Sequence, residues 1–295
     1  MAEGVVVSLQ EWQGWGTTSP LPTMVAQIVE DLKVLEEDLD AHMSFGGNGG
    51  KLQGNFRVQE DKKHRATYQA LGDSEKKLQF YSARQIACRI LGSRGYLCQK
   101  CWLPMEDCMC SKVTSCSLYP GIRFWLYMHP KDFLRQNNTG KILWQVFGVN
   151  AATLCLFGIP EHEEIMWNSF KMAALKSVEN AFGQEPVASD EVAPSEDKAK
   201  SVWGDEDLAC ISLNPGASAM HKLRPQPSWD RTCTAAAAAG LLSELQLLPQ
   251  FSTVGLDEQE EAVEHALTVL LDALTNRRLR VGRSITRKMR HTNIQ

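Results

Sequence analysis

No apolar run in this chain approaches the roughly 20 residues that a membrane-spanning helix needs. The first residues, Met1-Ala-Glu-Gly-Val-Val-Val, have neither the basic start of a secretory leader nor the arginines of a transit peptide. The Ser elbow of α/β-hydrolases, the His-Glu-x-x-His zinc helix and the Rossmann glycine pattern are all missing, which removes the commonest hydrolase, metalloprotease and dehydrogenase readings. Cysteines number nine, an odd count without a leader, which argues against a disulfide framework and for a reducing compartment. The expectation is a soluble chain, cytoplasmic or nuclear, without membrane contact. Acid is missing locally. Residues 277–295 carry Arg277, Arg278, Arg280, Arg283, Arg287, Lys288 and Arg290 and no Asp or Glu, so a net charge of −4 leaves −11 on the rest. Such asymmetry suits a polyanion-seeking tail on an acidic body; a nuclear import signal or a merely solvated tail is the competing reading.

At 295 residues the chain can build one large domain or two small ones. Residues 1–73 read as an N-terminal helix and a flexible linker, 74–276 as the main domain, and 277–295 as the basic tail. An apolar stripe from Met24 to Leu39 predicts a helix over 20–43, packed against the body. Gly46-Gly-Asn-Gly-Gly-Lys51 imitates a phosphate loop, but Leu52 replaces the required Ser or Thr and no strand precedes it, so 44–54 reads as a hinge. Helices are expected over 74–91, capped by Asp73 or Ser74 and stopped at Gly92, and over 141–147, 161–182, 234–248 and 257–274. The last has an Asp257…Glu260 capping-box pattern. Strands are expected over 122–128, 152–157 and 208–213. Strand and helix alternate, which indicates α/β organisation. The acidic, proline-bearing stretch 183–200 reads as a variable connector, followed by a polar loop over 214–231.

Four cysteines crowd into one loop, 95–116: Cys98-Gln-Lys-Cys101 and, after six intervening residues, Cys108-Met-Cys110. Two close pairs can complete a tetrahedral site for one zinc ion, with a structural role. The alternatives are free thiols on the surface or in a core, and Cys116 as a substitute ligand for Cys110. A second constellation runs from His129 to Lys141, where a buried strand ends and ligands sit in open α/β sheets. His129 suits proton transfer, Asp132 can orient a cation, and Arg135 or Lys141 can hold an anion, while Asn138-Thr139-Gly140 presents backbone N–H groups. An ordinary polar loop with a helix cap explains the same residues. A third set, His221 to Thr234, offers Trp229 for stacking on a base and Arg224 and Arg231 for phosphates, or a tryptophan that plugs a core edge.

Cys98-x₂-Cys101-x₂-Pro104-x₃-Cys108-x-Cys110, His129-Pro130 and Asn138-Thr139-Gly140-Lys141, followed by Arg224…Pro227…Cys233-Thr234 and an alanine-rich helix, together resemble the DTW-domain family. The agreement in order spans roughly 92–274. The resemblance implies a tRNA-uridine aminocarboxypropyltransferase with a SPOUT-like knotted α/β core. Such an enzyme moves the 3-amino-3-carboxypropyl group of S-adenosylmethionine onto N3 of a tRNA uridine. By position, His129, Arg135, Asn138, Thr139, Gly140 and Lys141 would hold the cofactor. Arg224, Trp229, Arg231, Arg277, Arg278 and Arg280 would contact RNA. The chain departs from the pattern in one respect: it contains no Asp-Thr-Trp, the triplet that names the family. Its expected position falls in the acidic connector. The chain then reads as a shortened isoform or a divergent member that uses another acid, and Asp132 and Asp230 are the substitutes. A non-catalytic, zinc-containing RNA-binding protein is the alternative. Oligomeric state and target uridine are not encoded in any of these patterns.

Overall fold

The computed structural model describes residues 15–46, 51–93, 95–182, 213 and 232–283. Helix α1 (Thr23–Asp38) buries Val25, Ile28, Val29 and Leu32, one face at helical spacing. Each such side chain contributes about 1.5–3 kcal/mol when removed from water. The helix ends earlier than the apolar stripe suggests, because Asp40 turns left-handed at φ 44°. Phe45–Gly46 (β1) and Lys51–Leu52 (β2) then pair antiparallel, so the flanks of the expected hinge form a small hairpin.

A helix that the apolar periodicity does not announce follows, α2 (Gly54–Ala70). Its inward residues are Phe56, Glu60 and His64, four apart on one face, so two of the three buried positions are polar. Helix α3 (Ser74–Ser93) starts as expected, with Asp73 Oδ1 accepting from Glu75 N at 2.9 Å, but it runs through Gly92. Phe80, Ala83, Ile86, Ala87 and Ile90 form its buried face, and α1 and α2 both pack on it. The N-terminal helix is thereby joined to the body.

The core of the site is one βαβ unit. Strand β3 (Phe124–Met128) pairs in parallel with β4 (Ala152–Leu156), in register from Phe124 opposite Ala152 to Met128 opposite Leu156. Helix α4 (Lys141–Phe147) makes the connection. All of β4 is buried, as a parallel strand covered on both faces should be. Gly16 O accepts from Leu154 N at 2.9 Å, so the segment before α1 covers one edge of β4. Helix α5 (Pro160–Phe182) packs on β4.

Helices α6 (Thr234–Gln246) and α7 (Leu256–Arg280) pack closely on each other, and α7 also touches α4. The small residues Ala235, Ala238 and Ala239 let α6 approach. Two expectations about α7 are corrected. Its N-cap is Gly255 at φ 72° with no side-chain cap, so the Asp257…Glu260 capping box does not form. The helix also continues to Arg280, which takes Arg277, Arg278 and Arg280 out of the presumed tail. Arginine is a good helix former and is favoured at the negative end of the helix dipole.

The architecture is mixed α/β with small sheets. Residues 208–212 of the strand expected over 208–213, the connector 183–200, the loop 214–231 and residues 284–295 lie outside the described residues. No helix among the described residues is long and apolar enough to cross a membrane.

Candidate metal centre and adjoining polar pocket

The thiol loop is built on a narrow turn. Leu97 faces Pro104 in an antiparallel bridge, Cys98 N donates to Leu103 O at 2.8 Å, and Trp102 N donates to Cys98 O at 2.8 Å. Closing that turn puts Trp102 at φ 55°, a left-handed conformation that costs about 1–2 kcal/mol for a residue with a side chain. Burial of the indole offsets it. Trp102 is fully buried, with its ring 5.3 Å from Phe133 and 5.1 Å from Trp144. Trp144 Nε1 in turn donates to Lys100 O at 3.2 Å. The thiol turn, the loop after β3 and helix α4 therefore share one aromatic cluster.

The turn brings Cys98, Cys101, Cys108 and Cys110 together with all four sulfurs within 4.8 Å of one another. Cys98 and Cys110 are 3.6 Å apart and Cys101 and Cys108 3.9 Å apart. Bonds of about 2.3 Å to a tetrahedral zinc place sulfurs about 3.8 Å apart, so the four can bind one metal ion. Cys116 is not in this group. Without a metal the thiols compete for protons. Hydrogen bonds from Cys101 and Cys110 pull Cys98 well below the usual thiol range, while contacts with Cys101 and Cys98 push Cys110 well above it. A divalent cation removes that conflict by holding all four as thiolates. Gln145 Oε1 lies 3.8 Å from Cys110 Sγ, so its amide borders the sulfurs.

The second feature is a pocket of about 470 Å³ where β3 ends. It is lined by Trp125, Tyr127 and Met128 from β3, by His129, Asp132, Arg135, Asn137, Asn138 and Gly140 from the following loop, and by Thr234 at the start of α6. Five of the seven expected loop residues line it, namely His129, Asp132, Arg135, Asn138 and Gly140, while Thr139 and Lys141 do not. The loop is held by its own polar groups. Asn138 Oδ1 accepts from Gly140 N at 2.9 Å, and its amide nitrogen donates to Asp132 O at 3.3 Å. A Cβ at Gly140 would lie 3.1 Å from Leu126 and 3.2 Å from Asn138 Oδ1, so the cradle leaves a side chain no comfortable room. His129 Nδ1 accepts from Lys131 N at 3.1 Å, which leaves the ring proton of the neutral form on Nε2. Asp132 pairs with Arg135 and is the carboxylate among the described residues lining the pocket. Arg89 of α3 donates to Lys131 O at 3.1 Å and steadies the loop from below. Tyr127 OH donates to Glu163 Oε1 at 2.6 Å while half of the residue remains exposed.

Two expected cofactor residues are placed elsewhere. Thr139 is buried and its hydroxyl accepts from Ala235 N at 3.4 Å, tying the loop to α6. Lys141 is fully buried, donates to Gln136 O and faces the thiol side; burial lowers its pKa to about 7 against the opposing pull of Cys101, Cys110 and Cys98. Arg280 is bound to acids of the thiol loop, Glu106 and Asp107, and Arg277 to Asp107. Arg224, Trp229, Asp230 and Arg231 lie outside the described residues. Trp125, Tyr127 and Met128 were not singled out as pocket residues; the signal available was the position of β3, whose C-terminal end opens the pocket.

Fold and site thus define an α/β domain with a loop of four clustered cysteines, able to bind one metal ion, packed against a polar pocket at a strand end. Residues 95–201, about a third of the chain, match the model of the DTW domain, which supports the resemblance to that family. The match spans the thiol loop, β3, the pocket loop, α4, β4 and α5; the later block from Arg224 to the alanine-rich helix, which also resembles the family, falls beyond it. No curated protein and no solved structure matches the chain. The DTW match points to a family associated with tRNA modification.

Proposed function

We propose that the chain is a tRNA-uridine aminocarboxypropyltransferase that uses S-adenosylmethionine and carries a structural zinc ion on Cys98, Cys101, Cys108 and Cys110. The observation that supports this best is the pocket at the end of β3, assembled from the same loop residues that carry the family resemblance. Its volume is within the usual range for a small-molecule site. Its chemistry also suits the cofactor: Met128 and Leu126 offer an apolar wall, Gly140 a close backbone approach, and Arg135 a cation for a carboxylate. Bound S-adenosylmethionine would supply a methionine-chain carbon activated by its sulfonium.

The side chains divide the remaining work. Arg135 holds a carboxylate, and His129 donates from Nε2. Asn138 keeps the turn closed behind Gly140. Asp132, oriented by Arg135, is the candidate acceptor for the uridine N3 proton, in place of the absent triplet. Tyr127, half exposed and fixed by Glu163, offers a face on which the base can stack. Asp230, Arg224, Trp229 and Arg231 stay in the proposal as contributors from the sequence that precedes α6. The SPOUT-like knot is part of the same reading, supported by the parallel βαβ unit and the ligand pocket at its strand end.

Purified protein incubated with unmodified tRNA and S-adenosylmethionine should yield 3-(3-amino-3-carboxypropyl)uridine and methylthioadenosine, detected by nucleoside mass spectrometry. Asp132→Asn should lower turnover on the order of 10²-fold or more with little change in cofactor binding, as loss of a general base does. The missing Asp-Thr-Trp favours one other reading, a non-catalytic zinc-containing RNA-binding protein. It predicts salt-sensitive tRNA binding without cofactor affinity or product.

A further inference from the structure

Lys141 is fully buried at the start of α4, and no acidic residue among the described ones pairs with it. Its ammonium donates to Gln136 O. A buried ammonium is costly unless an opposite charge lies close enough to offset its lost hydration. The groups that favour its charge are the sulfurs of Cys101, Cys110 and Cys98, three of the four clustered thiols. Helix α4 fixes this arrangement. Gln145, one turn on, donates from Nε2 to Lys141 O at 3.2 Å while its Oε1 lies 3.8 Å from Cys110 Sγ. Trp144 Nε1 holds Lys100 O of the thiol turn at 3.2 Å, which keeps the helix against the loop.

A divalent ion on four thiolates leaves the group with two negative charges. The turn offsets part of this with backbone N–H groups, those of Lys100 and Cys101 at the Cys98 sulfur and those of Leu103 and Met109 at the Cys101 sulfur. These carry only partial charge. Lys100 and Lys112 of the same loop are exposed, where solvent screens them. We propose that Lys141 is the buried counter-ion of the metal–tetrathiolate group, a positioning residue that sets how tightly the loop holds its ion. This role rests on the zinc reading of the four cysteines and is independent of the transferase reading. Charge and packing differ here in sign. A lysine that only fills space supports the fold equally with and without metal. A counter-ion stabilises the loaded state and burdens the metal-free one, where the sulfurs hold fewer negative charges.

The test compares the full chain with Lys141→Met, which keeps most of the side chain's length and removes its charge. Zinc affinity, measured at neutral pH by competition with a chromophoric chelator, should fall about 10–100-fold. The zinc-loaded variant should melt below the zinc-loaded parent, while the chelator-treated variant should melt no lower than the chelator-treated parent. Lys141→Gln, uncharged but still able to bond Gln136 O, should lose zinc as Lys141→Met does. Iron supplies a readout that holds even where the metal-free forms show no melting transition. An iron–tetrathiolate group carries two negative charges when ferrous and one when ferric, so loss of the lysine should make the reduction potential more negative, by about 59 mV for each tenfold change in that preference. Parental zinc affinity in either variant, an equal loss of melting temperature with and without metal, or an unchanged iron potential overturns the counter-ion and leaves the zinc site standing. A parent chain that takes up neither ion overturns both.

Discussion

The thiol loop and the seam between α2 and α3 both bury groups that water would otherwise solvate, and they do so by opposite means. In the loop, four sulfurs crowd together, with Cys101 fully buried, and hydrogen bonds alone leave their protons in conflict. In the seam, Glu60 is met by His64 Nδ1 at 2.6 Å and by a two-pronged contact from Arg84. Burial pushes the Glu60 carboxyl up, but the hydrogen bonds from His64 and Arg84, with Arg84's charge, hold it down at about 2. The seam closes on itself, whereas the loop has the geometry to take a metal ion. On the zinc reading, stability depends on metal on one side and on pH on the other.

Removing the metal should have the largest effect. A structural zinc contributes about 10–16 kcal/mol of apparent binding energy in small domains, and here the loop supports Trp102 beneath the pocket. Chelation, Cys98→Ser or Cys108→Ser should strongly lower the thermal midpoint of zinc-loaded protein, and metal analysis of the unsubstituted chain should give one zinc per chain. Breaking the seam comes next. Arg84→Met leaves Glu60 buried with one cationic partner fewer and should cost about 3–5 kcal/mol by chemical denaturation. Replacing Glu60, His64 and Arg84 together by apolar residues should cost less than Arg84→Met alone, because no charge is left stranded.

A smaller, graded effect follows from the depressed carboxyl of Glu60. Its stabilisation is fully present above its unfolded value near 4.5 and is lost as pH falls through about 2. Glu60→Gln should therefore be less stable than the parent by about 3 kcal/mol at neutral pH, with the gap closing over that acid window. Comparing the two proteins at each pH cancels the loss of metal from protonated thiolates, which affects both. Smallest of all, Arg280→Ala should leave the thermal midpoint nearly unchanged, because the arginine itself is about half exposed in its ion pairs.

These two regions also differ in how openly the sequence announces them. Thiolate spacing is set by metal geometry, so Cys98 to Cys110 could be read directly. The βαβ unit was legible for a related reason: β3, α4 and β4 are short apolar runs separated by turn residues, and the structure places them within a residue or two of expectation. Helix α2 was hidden because Glu60 and His64 occupy buried positions on its inward face, and their partner Arg84 is 24 residues away from Glu60. The arginines of α7 looked like a tail because charge composition does not say where a helix ends; the pairing of Arg280 with Glu106 and Asp107 is a contact over more than 170 residues. Lys141 was misplaced for a third reason. A helix start next to a pocket has two sides, and this lysine lies on the one that faces the sulfurs.

The most direct test of the proposed chemistry uses isotopes. The zinc-loaded protein is given unmodified tRNA and S-adenosylmethionine labelled either in the methionine chain or in the methyl group, and the nucleosides are analysed by mass spectrometry. The account predicts chain label on a uridine, together with released methylthioadenosine, and no methyl label in the RNA. Methyl label in the RNA, or cofactor and tRNA both bound with no label transferred, would contradict it.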